Sequence, residues 1–493
     1  MSSSLCTSNV TSGFIDLATF DELEKYMYGG PDATAYFVRE TRKATWFTQV
    51  PVCLSRASGQ PGFNTEWSVS ISRAGDYLLS TWLRLTTPVI KLDPQSFALQ
   101  GIAANGPNAN RIRWTRNFMH NIVKECAITF NDLVAARFDN YHLDFWSAFT
   151  VPAGKQTGYC NMIGNIQDLT EPTAWTAVGP APPAPAGSYY ANLNTIPAIT
   201  LNLPLPFFFA RDSGVALPTA ALPYNDMRIN FSFRDWSELL IVDQPANAPN
   251  VSGPVPNGGS GWIVGTPSLN NNVNVWANYA IVSNDERKRM ACAPRDMLIE
   301  QVQTAPRQTF GTPNNNNPRY DIRFSHAIKV LFFSARNTTN KADWSNYTAG
   351  SPVPSLNKVN WNAASMVDPI SQTSLIYENT YRIGQMGSDY FSLVNPWYSA
   401  PSIPLETGYH MYSYSLDFIS LDPMGSTNYG KLTNVSIVPE VSTDAQVTAA
   451  GTFYTPQGVD NGGDFKQTFE FITTAVNNNI IRVSGGALGF PVL

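Results

Sequence analysis

The stretch PFFFARDSGVALPTAALPYNDMRINFSF, residues 206–233, carries the clearest structural pattern in the chain. It opens with a proline and three phenylalanines, and the glycine and prolines that follow favour an irregular loop. Its last seven residues alternate apolar and polar side chains, the apolar ones being Met227, Ile229, Phe231 and Phe233. A period of two places one row of side chains on a buried face and the other row in solvent. The stretch therefore predicts a loop that leads into a half-buried β-strand.

A similar order of residue types occurs in PWYSAPSIPLETGYHMYSYSLDF, residues 396–418. A proline with aromatic residues is again followed by a proline-interrupted loop and then by an alternating segment with the apolar row Tyr412, Tyr414, Leu416 and Phe418. The two stretches begin 190 residues apart, since 396 minus 206 is 190. They share residue classes rather than identities. The repeat indicates two similar β-domains in tandem.

The composition is that of a globular protein with an unusually uncharged surface. A chain of 493 residues is long for one core, and two domains of about 200–250 residues are expected for all-β architecture. Charged residues make up 14% of the chain, against roughly 25% in an ordinary domain. Neutral polar groups cost less to bury than charges, which favours extensive contact with other protein. The net charge of −5 argues against a protein that coats nucleic acid.

The cysteines and the N-terminus give no sign of export. The five cysteines are widely spaced and never form a CxxC pair, which favours a reducing compartment over a disulfide scaffold: Cys6, Cys53, Cys126, Cys160 and Cys292. The N-terminal residues lack the basic and apolar regions of a secretory signal. No run of 18 apolar residues occurs, so no transmembrane helix is predicted.

A short helix is predicted after the Ser/Thr-rich N-terminal tip. Thr19 is its expected cap, with Glu22 as the capping-box partner, and Gly29 and Gly30 end it. Its apolar stripe includes Leu23 and Tyr26, together with Met27. A helix this short needs something to pack on. It is either a strap on its own domain or an arm that reaches a partner.

The remaining pattern is one of short strands separated by long loops. Strands are predicted at residues 75–85, 121–132, 273–283, 321–336, 374–383, 469–476 and 480–483, and a short helix at residues 141–150. Loops are predicted at residues 93–110, 179–187, 313–318 and 340–362, and a turn-rich segment at residues 244–261 marks a domain boundary. Short strands with long connections fit jelly rolls better than tight meanders.

The titratable residues do not form a catalytic or metal-binding motif. The four histidines stand alone, without HxH or HExxH spacing, and are expected to be structural: His120, His142, His326 and His410. Loop carboxylates such as Asp212, Asp226, Asp368 and Asp389 leave a glycosidase pair open, because sequence does not give their separation. We predict no catalytic residue, no cofactor-binding residue, no metal ligand and no cofactor.

Three further segments have a structural and a ligand-binding interpretation. The segment GSTNYGKL, residues 425–432, lacks the Ser or Thr of a phosphate-binding loop because Leu432 occupies that position. Arg111, Arg113 and Arg116 with Trp114 suit either an anion site or, by preference, a salt-bridged strand end. The charge run DERKR, residues 285–289, favours a solvated turn over a nucleic-acid contact.

Several long strings resemble the major capsid proteins of iridoviruses. They are SGFIDLATFDELEKYMYGGPDATAYFV (residues 12–38), RWTRNFMHNIV (113–123), TGYCNMIGN (157–165), LPLPFFFARDSGVALP (203–218), RFSHAIK (323–329), GSTNYGKLTN (425–434) and the ending NNNIIRVSGGALGFPVL. The likeness runs nearly from end to end. These are ordered strings rather than loose motifs, and the loops at residues 179–187, 244–261 and 340–362 are expected to vary.

The resemblance implies an all-β double jelly roll, with two eight-stranded antiparallel sandwiches and no enzymatic activity. We expect residues 1–30 to form an N-terminal arm, residues 31–243 the first jelly roll and residues 244–493 the second. Three chains would form a homotrimer with a pseudo-hexagonal outline, and such capsomers would tile the icosahedral shell of a large double-stranded DNA virus. The low charge agrees with large buried flanks.

The resemblance also implies partners and a location. Beyond other copies of itself, the chain would contact minor capsid and penton proteins, and its N-terminal arm would face the inner viral membrane. No sequence-specific nucleic-acid binding is expected. The shell would be made and assembled in the host cytoplasm, with the loops at residues 179–187 and 340–362 on the outer surface. A carbohydrate-binding or carbohydrate-cleaving β-sandwich, based on the aromatic loops and loop carboxylates, is the alternative.

Overall fold

The computed structural model describes residues 3–19, 21–28, 44–93, 111–170, 195–244, 251–255, 262–269, 272–310, 317–349, 368–442, 445 and 468–490. The predicted loop at residues 93–110 lies outside this range except for Asp93. The predicted loop at residues 179–187 and the glycines at 29–30 also lie outside it, as do parts of the other long loops. Residues 1–46 and 47–493 form two compact units. No helix of the described residues is long and apolar enough to cross a membrane.

The N-terminal unit contains two helices, α1 (Ser3–Ala18) and α2 (Glu22–Tyr28). Helix α1 was not predicted, because its sequence is rich in serine and threonine. The predicted cap of α2 is wrong. The Thr19 hydroxyl donates to the Asp16 carbonyl oxygen, and the Glu22 amide donates to Asp21 Oδ1 instead. The side chain of Glu22 pairs with Lys25 rather than with the helix terminus.

The first half of the larger unit is mostly antiparallel strand. Its strands are β1 (Phe47–Cys53), β2 (Arg56–Ser58), β3 (Glu66–Ser70), β4 (Tyr77–Thr86), β5 (Ile90–Lys91), β6 (Arg111–Trp114), β7 (Val123–Phe130), β8 (Leu133–Asp139), β9 (Thr195–Ile196), β10 (Thr200–Pro204), β11 (Met227–Phe233), β12 (Leu240–Gln244), β13 (Val251–Pro254) and β14 (Val273–Val282). The α-helices among them are α3 (Phe118–Ile122), α4 (Asn140–Thr150), α5 (Ala153–Ile163) and α6 (Gln167–Thr170).

These strands form two main sheets with one core between them. One sheet has the order β1-β14-β4-β10 and the other β2-β3-β11-β7-β8. Strand β11 alternates buried and more exposed residues, as the opening stretch predicts. Its Phe231 stacks on Trp67 of β3 with ring centroids 4.7 Å apart. The loop before β11 contains three short 3-10 turns, and the three phenylalanines at its start are buried.

The second half repeats this arrangement after helix α7 (Asn284–Cys292). Its strands are β15 (Arg295–Thr304), β16 (Gln308–Phe310), β17 (Tyr320–Asp321), β18 (Ala327–Asn337), β19 (Ile370–Tyr377), β20 (Thr380–Gly387), β21 (His410–Ser413), β22 (Thr427–Asn428), β23 (Val435–Val441), β24 (Phe469–Ser484) and β25 (Ala487–Gly489). A π-helical turn, Tyr390–Val394, continues into helix α8 (Asn395–Ser399). The main sheets have the orders β15-β24-β18-β21 and β17-β23-β19-β20.

Both halves have the strand order of a jelly roll. When β2 is treated as an extension of β3, the eight main strands of the first half lie in the orders 1-8-3-6 and 2-7-4-5. The eight main strands of the second half, β15, β17, β18, β19, β20, β21, β23 and β24, give the same two orders. The predicted all-β double jelly roll is therefore confirmed. In this strand order β14 is the eighth strand of the first roll, although it follows the predicted domain boundary at residue 244.

The two similar stretches of the sequence do not occupy equivalent positions. Strand β11 is the seventh strand of its roll, whereas β21 is the sixth strand of the other and only four residues long. The predicted apolar row of the second stretch is wrong at Leu416, which is 83% exposed, whereas Phe418 is buried and Tyr414 packs against the core of the second roll. The prediction of two similar domains in tandem is correct, but the two similar sequence stretches that suggested it do not correspond to equivalent strands of the two rolls.

One sheet of the second roll is buried on both faces. On β18 the side chains of Leu331 and Phe333 enter the core of the second roll, while Val330 and Phe332 enter the core that is continuous with the first roll. Burial of both faces explains why this segment reads as an almost continuous apolar run. The two rolls therefore share the sheet β15-β24-β18-β21 as a common layer.

Candidate functional site

Helix α4 forms one of the contacts between the rolls. Asp139 caps it by accepting a hydrogen bond from the His142 amide at 2.9 Å. Phe145 and Phe149 lie four residues apart on one side of the helix and stack on Phe332 of β18, with centroids 5.8 Å and 5.5 Å away. The aromatic spacing in residues 141–150 correctly predicts this helix, and its apolar side is what the shared sheet covers.

A fully buried carboxylate lies on the same helix. Asp144 Oδ1 accepts from His120 Nδ1 at 2.7 Å and from Asn117 Nδ2 at 3.1 Å. Its Oδ2 accepts from the Tyr347 hydroxyl at 2.8 Å and from the Ser345 hydroxyl at 3.0 Å. Burial and the charge of Asp144 raise the pKa of Tyr347, so this hydroxyl stays protonated and donates. One carboxylate therefore connects a turn and a helix of the first roll with a loop of the second.

Trp344 of that loop lies between two arginines from different rolls. The Arg234 guanidinium carbon lies 3.5 Å from its ring centroid and that of Arg336 lies 3.8 Å away. The indole nitrogen donates to the Glu238 carbonyl oxygen at 2.9 Å. Stacking of guanidinium groups on an indole is a strong form of cation–π contact when desolvated. We call helix α4, Asp144 and residues 338–349 together the inter-roll junction.

His142 lies on helix α4 of this junction, His120 contacts its Asp144, and His410 makes a similar pair with a carboxylate elsewhere. His120 is buried between Asp144 and Tyr159, whose hydroxyl lies 2.7 Å from His120 Nε2. Burial lowers the pKa of His142 to about 3, with a smaller effect from Arg211. His410 Nε2 lies 2.7 Å from Asp368 Oδ2, and the ring stacks on Phe333. His326 adopts a left-handed backbone with φ of 64°.

Three of the four predicted loop carboxylates, Asp212, Asp226 and Asp368, have structural partners within the chain. Asp212 accepts from the Gly214 amide and Asp226 pairs with Arg228 at 2.7 Å. Asp368 holds His410, and Asp389 precedes the π-helical turn. The described residues contain no group of three or more His, Cys, Asp or Glu side chains placed to hold a metal ion. The prediction of no catalytic or metal-binding residue stays a prediction.

The basic segments are also parts of the scaffold. Arg113 and Trp114 are buried, and Arg116 pairs with Glu406 at 3.4 Å and donates to the Ser345 carbonyl oxygen at 3.2 Å. The charge run at residues 285–289 lies in helix α7 rather than in a turn, and its Arg287 pairs with Asp76 at 2.7 Å. Its helical conformation was missed because charged residues are common in turns and on helices alike.

The segment at residues 425–432 is a strand and turn rather than a phosphate-binding loop. Residues Thr427–Asn428 pair with β18, and the residues directly after Lys431 lead into strand β23 rather than into a helix. The prediction that it is not a nucleotide site agrees with this geometry.

Sequence reasoning missed an exposed apolar segment of the second roll. The π-helical turn and helix α8 carry Leu393, Val394, Trp397 and Tyr398, all on the surface of the single chain. Trp397 is 71% exposed and Tyr398 82% exposed. Their sequence signal is the aromatic pair behind Pro396, which at the level of sequence marks only the start of the second similar stretch. A surface of this kind suits contact with protein rather than with a small substrate.

The chain is similar in fold to solved structures of virus capsid proteins. The chain is similar to the capsid protein of PBCV-1, with a TM-score of 0.66 and 18% identity over 93% of this chain and 100% of that one. It is similar to the Faustovirus major capsid protein, with a TM-score of 0.64 and 12% identity over 98% and 99% of the two chains. At these identities the likeness concerns the fold alone, and that fold is the double jelly roll of capsid proteins.

Sequence comparisons identify the family. The family described as "Major capsid protein N-terminus" matches residues 35–282, and "Large eukaryotic DNA virus major capsid protein" matches residues 286–489. The major capsid protein of Costelytra zealandica iridescent virus is 62% identical over 99% of this chain and all of its own length. That of Frog virus 3 is 44% identical over the whole of both chains. The chain belongs to the major capsid proteins of large eukaryotic DNA viruses. It is a structural component of the virion capsid and not an enzyme, as the resemblance implied.

Proposed function

We propose that three copies of the chain form a capsomer with a pseudo-hexagonal outline, and that these capsomers tile an icosahedral shell. Two rolls with the same strand order in each chain would give a trimer six similar edges, which suits a hexagonal lattice. The junction supports this proposal because it fixes the two rolls of a chain against each other through Asp144 and Trp344.

The exposed apolar segment carries this proposal. Trp397 and Tyr398 lie on a short ordered helix, yet their side chains are largely exposed to solvent. Leu393 and Val394 lie one turn before them. Large aromatic side chains that protrude in this way are typical of protein interfaces. Because the family assembles into capsids, another copy of this chain is the expected partner.

Light scattering during size exclusion tests the proposal. We expect the purified chain to have about three times the 54.2 kDa mass of one copy. The double substitution Trp397→Ser and Tyr398→Ser should shift the mass towards a single copy, since it removes two aromatic contacts. Tyr26→Ser, an equally exposed tyrosine of helix α2, is the control and should leave the mass unchanged. A trimer that persists in the double variant would contradict the role of this segment.

We also infer that the division between the rolls lies after β14 rather than at residue 244. Strand β14 pairs with β1 and β4, and helix α7 follows it before the first strand of the second roll. The two family matches, which end at residue 282 and begin at residue 286, support the same division. A chain cut at an engineered protease site within residues 283–294 should therefore unfold at a higher urea concentration than a chain cut within residues 245–250, because only the second cut places β14 on a different fragment from β1 and β4.

The N-terminal unit is the proposed contact with other capsid components. Phe14, Ile15 and Leu17 of helix α1 are exposed, and so are Leu23 and Tyr26 of helix α2. We infer that this arm binds minor capsid or penton proteins, or meets the inner membrane side of the shell. Deletion of residues 1–30 tests the inference, and normal assembly without them would contradict it. Microscopy of infected cells would test assembly of the shell in the host cytoplasm.

A further inference from the structure

A cavity of about 610 Å³ opens on the first roll, on the side of helix α4 that also carries Trp146. Its sides are helix α4, helix α5 and the end of strand β10 with the turn that follows it. The volume lies within the range of about 300–1,000 Å³ that is usual for small-molecule sites. The capsid role of the chain does not account for it.

The interior of this cavity is mainly apolar. Its aromatic and aliphatic side chains are contributed by different elements: Leu143 and Trp146 from α4, Met162 from α5, and Leu205 and Pro206 from the turn after β10. The polar hydroxyls nearby are already engaged. The Thr150 hydroxyl donates to the Trp146 carbonyl oxygen, and Tyr159 pairs with His120. The cavity therefore suits a hydrocarbon chain better than a sugar or a nucleotide.

Its charged lining is entirely positive among the described residues. Lys155 and Arg211 both line the cavity, and no described Asp or Glu does. The Arg211 guanidinium carbon lies 3.9 Å from the Trp146 ring centroid, which holds it at the surface of the cavity. Lys155 is exposed and makes no ion pair with a described residue.

The cluster of charged groups that includes Arg211 also carries a net positive charge. Arg211 pairs with Glu300, but Glu300 also accepts from the fully buried Lys329 at 2.5 Å. Two cations thus share one carboxylate, and this group keeps one positive charge. A positive charge beside an apolar cavity attracts an anionic group, because the interaction is less screened there than in bulk water.

Helix α5 leaves open space on its cavity side. Gly154 and Gly158 both line the cavity and stand one helical turn apart. A Cβ added at either position would meet no atom within 4 Å, so packing within the chain does not require glycine there. Glycine lowers helix stability relative to alanine. Two glycines on this side of the helix therefore reduce its stability, and they leave space in which a ligand could lie against the helix.

We propose that this cavity binds an anionic single-chain amphiphile, such as a fatty acid, with its acidic head at Lys155 and Arg211 and its chain along the apolar lining. The match of charge and of apolar volume carries the assignment. The proposal goes beyond the assembly role of the chain and does not depend on it, because the cavity is complete within one copy.

Calorimetric titration of the full-length protein with dodecyl compounds tests the proposal. Dodecanoate and dodecyl phosphate, used below their micelle concentrations, should bind with one site per chain. Dodecanol and dodecyltrimethylammonium, which have the same chain with a neutral or cationic head, should bind about tenfold or more weakly. Equal binding of all four would overturn the anionic class, and no binding of the two anions would overturn the site. A preference for dodecyl phosphate over dodecanoate would indicate a phospholipid-derived ligand rather than a fatty acid.

Substitutions locate the binding. Gly158→Trp places an indole in the open space and should abolish dodecanoate binding, whereas Gly13→Trp, the same change at a helical glycine outside the cavity, should not. Lys155→Gln should weaken binding of dodecanoate about tenfold and leave dodecanol unaffected. Lys288→Gln, at an exposed lysine of helix α7, is its control. Unchanged binding in Gly158→Trp with an unchanged melting temperature would place the ligand elsewhere and overturn the proposal.

Discussion

Asp144 is the residue on which the junction depends. A carboxylate without solvent contact is stable only when its lone pairs are occupied, and here four donors occupy them. Two of these donors belong to the second roll and two to the first. The residue therefore stabilises the relative placement of the rolls as well as the fold around it.

We expect Asp144→Asn to lower the free energy of unfolding by about 3 kcal/mol. The amide group would direct its own N–H donors at side chains that already donate, so at least one buried hydrogen bond is lost. The urea midpoint of the purified protein measures the effect. Asp226→Asn, which alters an exposed pair with Arg228, should change stability by less than about 0.5 kcal/mol and serves as the control. Equal effects of the two substitutions would contradict the importance of Asp144.

His142 predicts a specific dependence of stability on pH. Its pKa of about 3 in the folded chain lies below the ordinary value of 6.5, because burial disfavours the charged ring. The folded state binds fewer protons than the unfolded state between these values. The contribution of His142 is therefore fully present above pH 6.5 and is lost as the pH falls towards 3, by at most about 1.4 kcal/mol per pH unit. His142→Phe should make the urea midpoint less dependent on pH between 7 and 5. The same dependence in both proteins would contradict this assignment.

At the scale of elements, the sequence correctly predicts those strands and helices whose position is determined by the local spacing of apolar residues. The half-buried strand β11, the helix at residues 141–150 and the long strand β4 follow from spacing alone. The apolar row around Leu416 failed, because long-range packing rather than alternation decides where the chain leaves the sheet after Ser413. The inter-roll junction could not be predicted from the sequence, because residues 338–349 lie far from helix α4 in the chain and come into contact with it only when both rolls have folded. Their Asn and Ser content resembles an ordinary loop.

Phe332 tests the two-sided packing of β18. Its ring lies between Phe145 and Phe149 of helix α4 on one face of the strand, while its neighbours Leu331 and Phe333 pack into the other core. Phe332→Ala should cost about 3–5 kcal/mol, because it leaves a cavity in the contact between the rolls. Leu416→Ala, at an exposed position, should cost less than about 0.5 kcal/mol. Thermal unfolding of both variants checks the difference, and a small effect at Phe332 would contradict the packing role.

At the scale of the whole molecule, the rolls are expected to unfold together. Residues 47–493 form one compact unit, and the sheet β15-β24-β18-β21 contributes side chains to both cores. Loss of one roll would expose an apolar face of that sheet, which couples the two transitions. Calorimetry should therefore show one endotherm for the chain. Two well-separated endotherms would mean that the shared sheet does not couple the rolls.

The shared sheet also has a geometrical consequence for a closed surface. A flat lattice of identical tiles becomes a shell only if bending is introduced somewhere. Two sandwiches that have a sheet in common cannot hinge about a linker, so a single chain offers little flexibility for that bending. Curvature must then arise where one copy meets another. Substitutions that change the radius of the shell are accordingly expected at exposed residues that can contact another copy, such as Trp397 and Tyr398, and not within the rolls themselves.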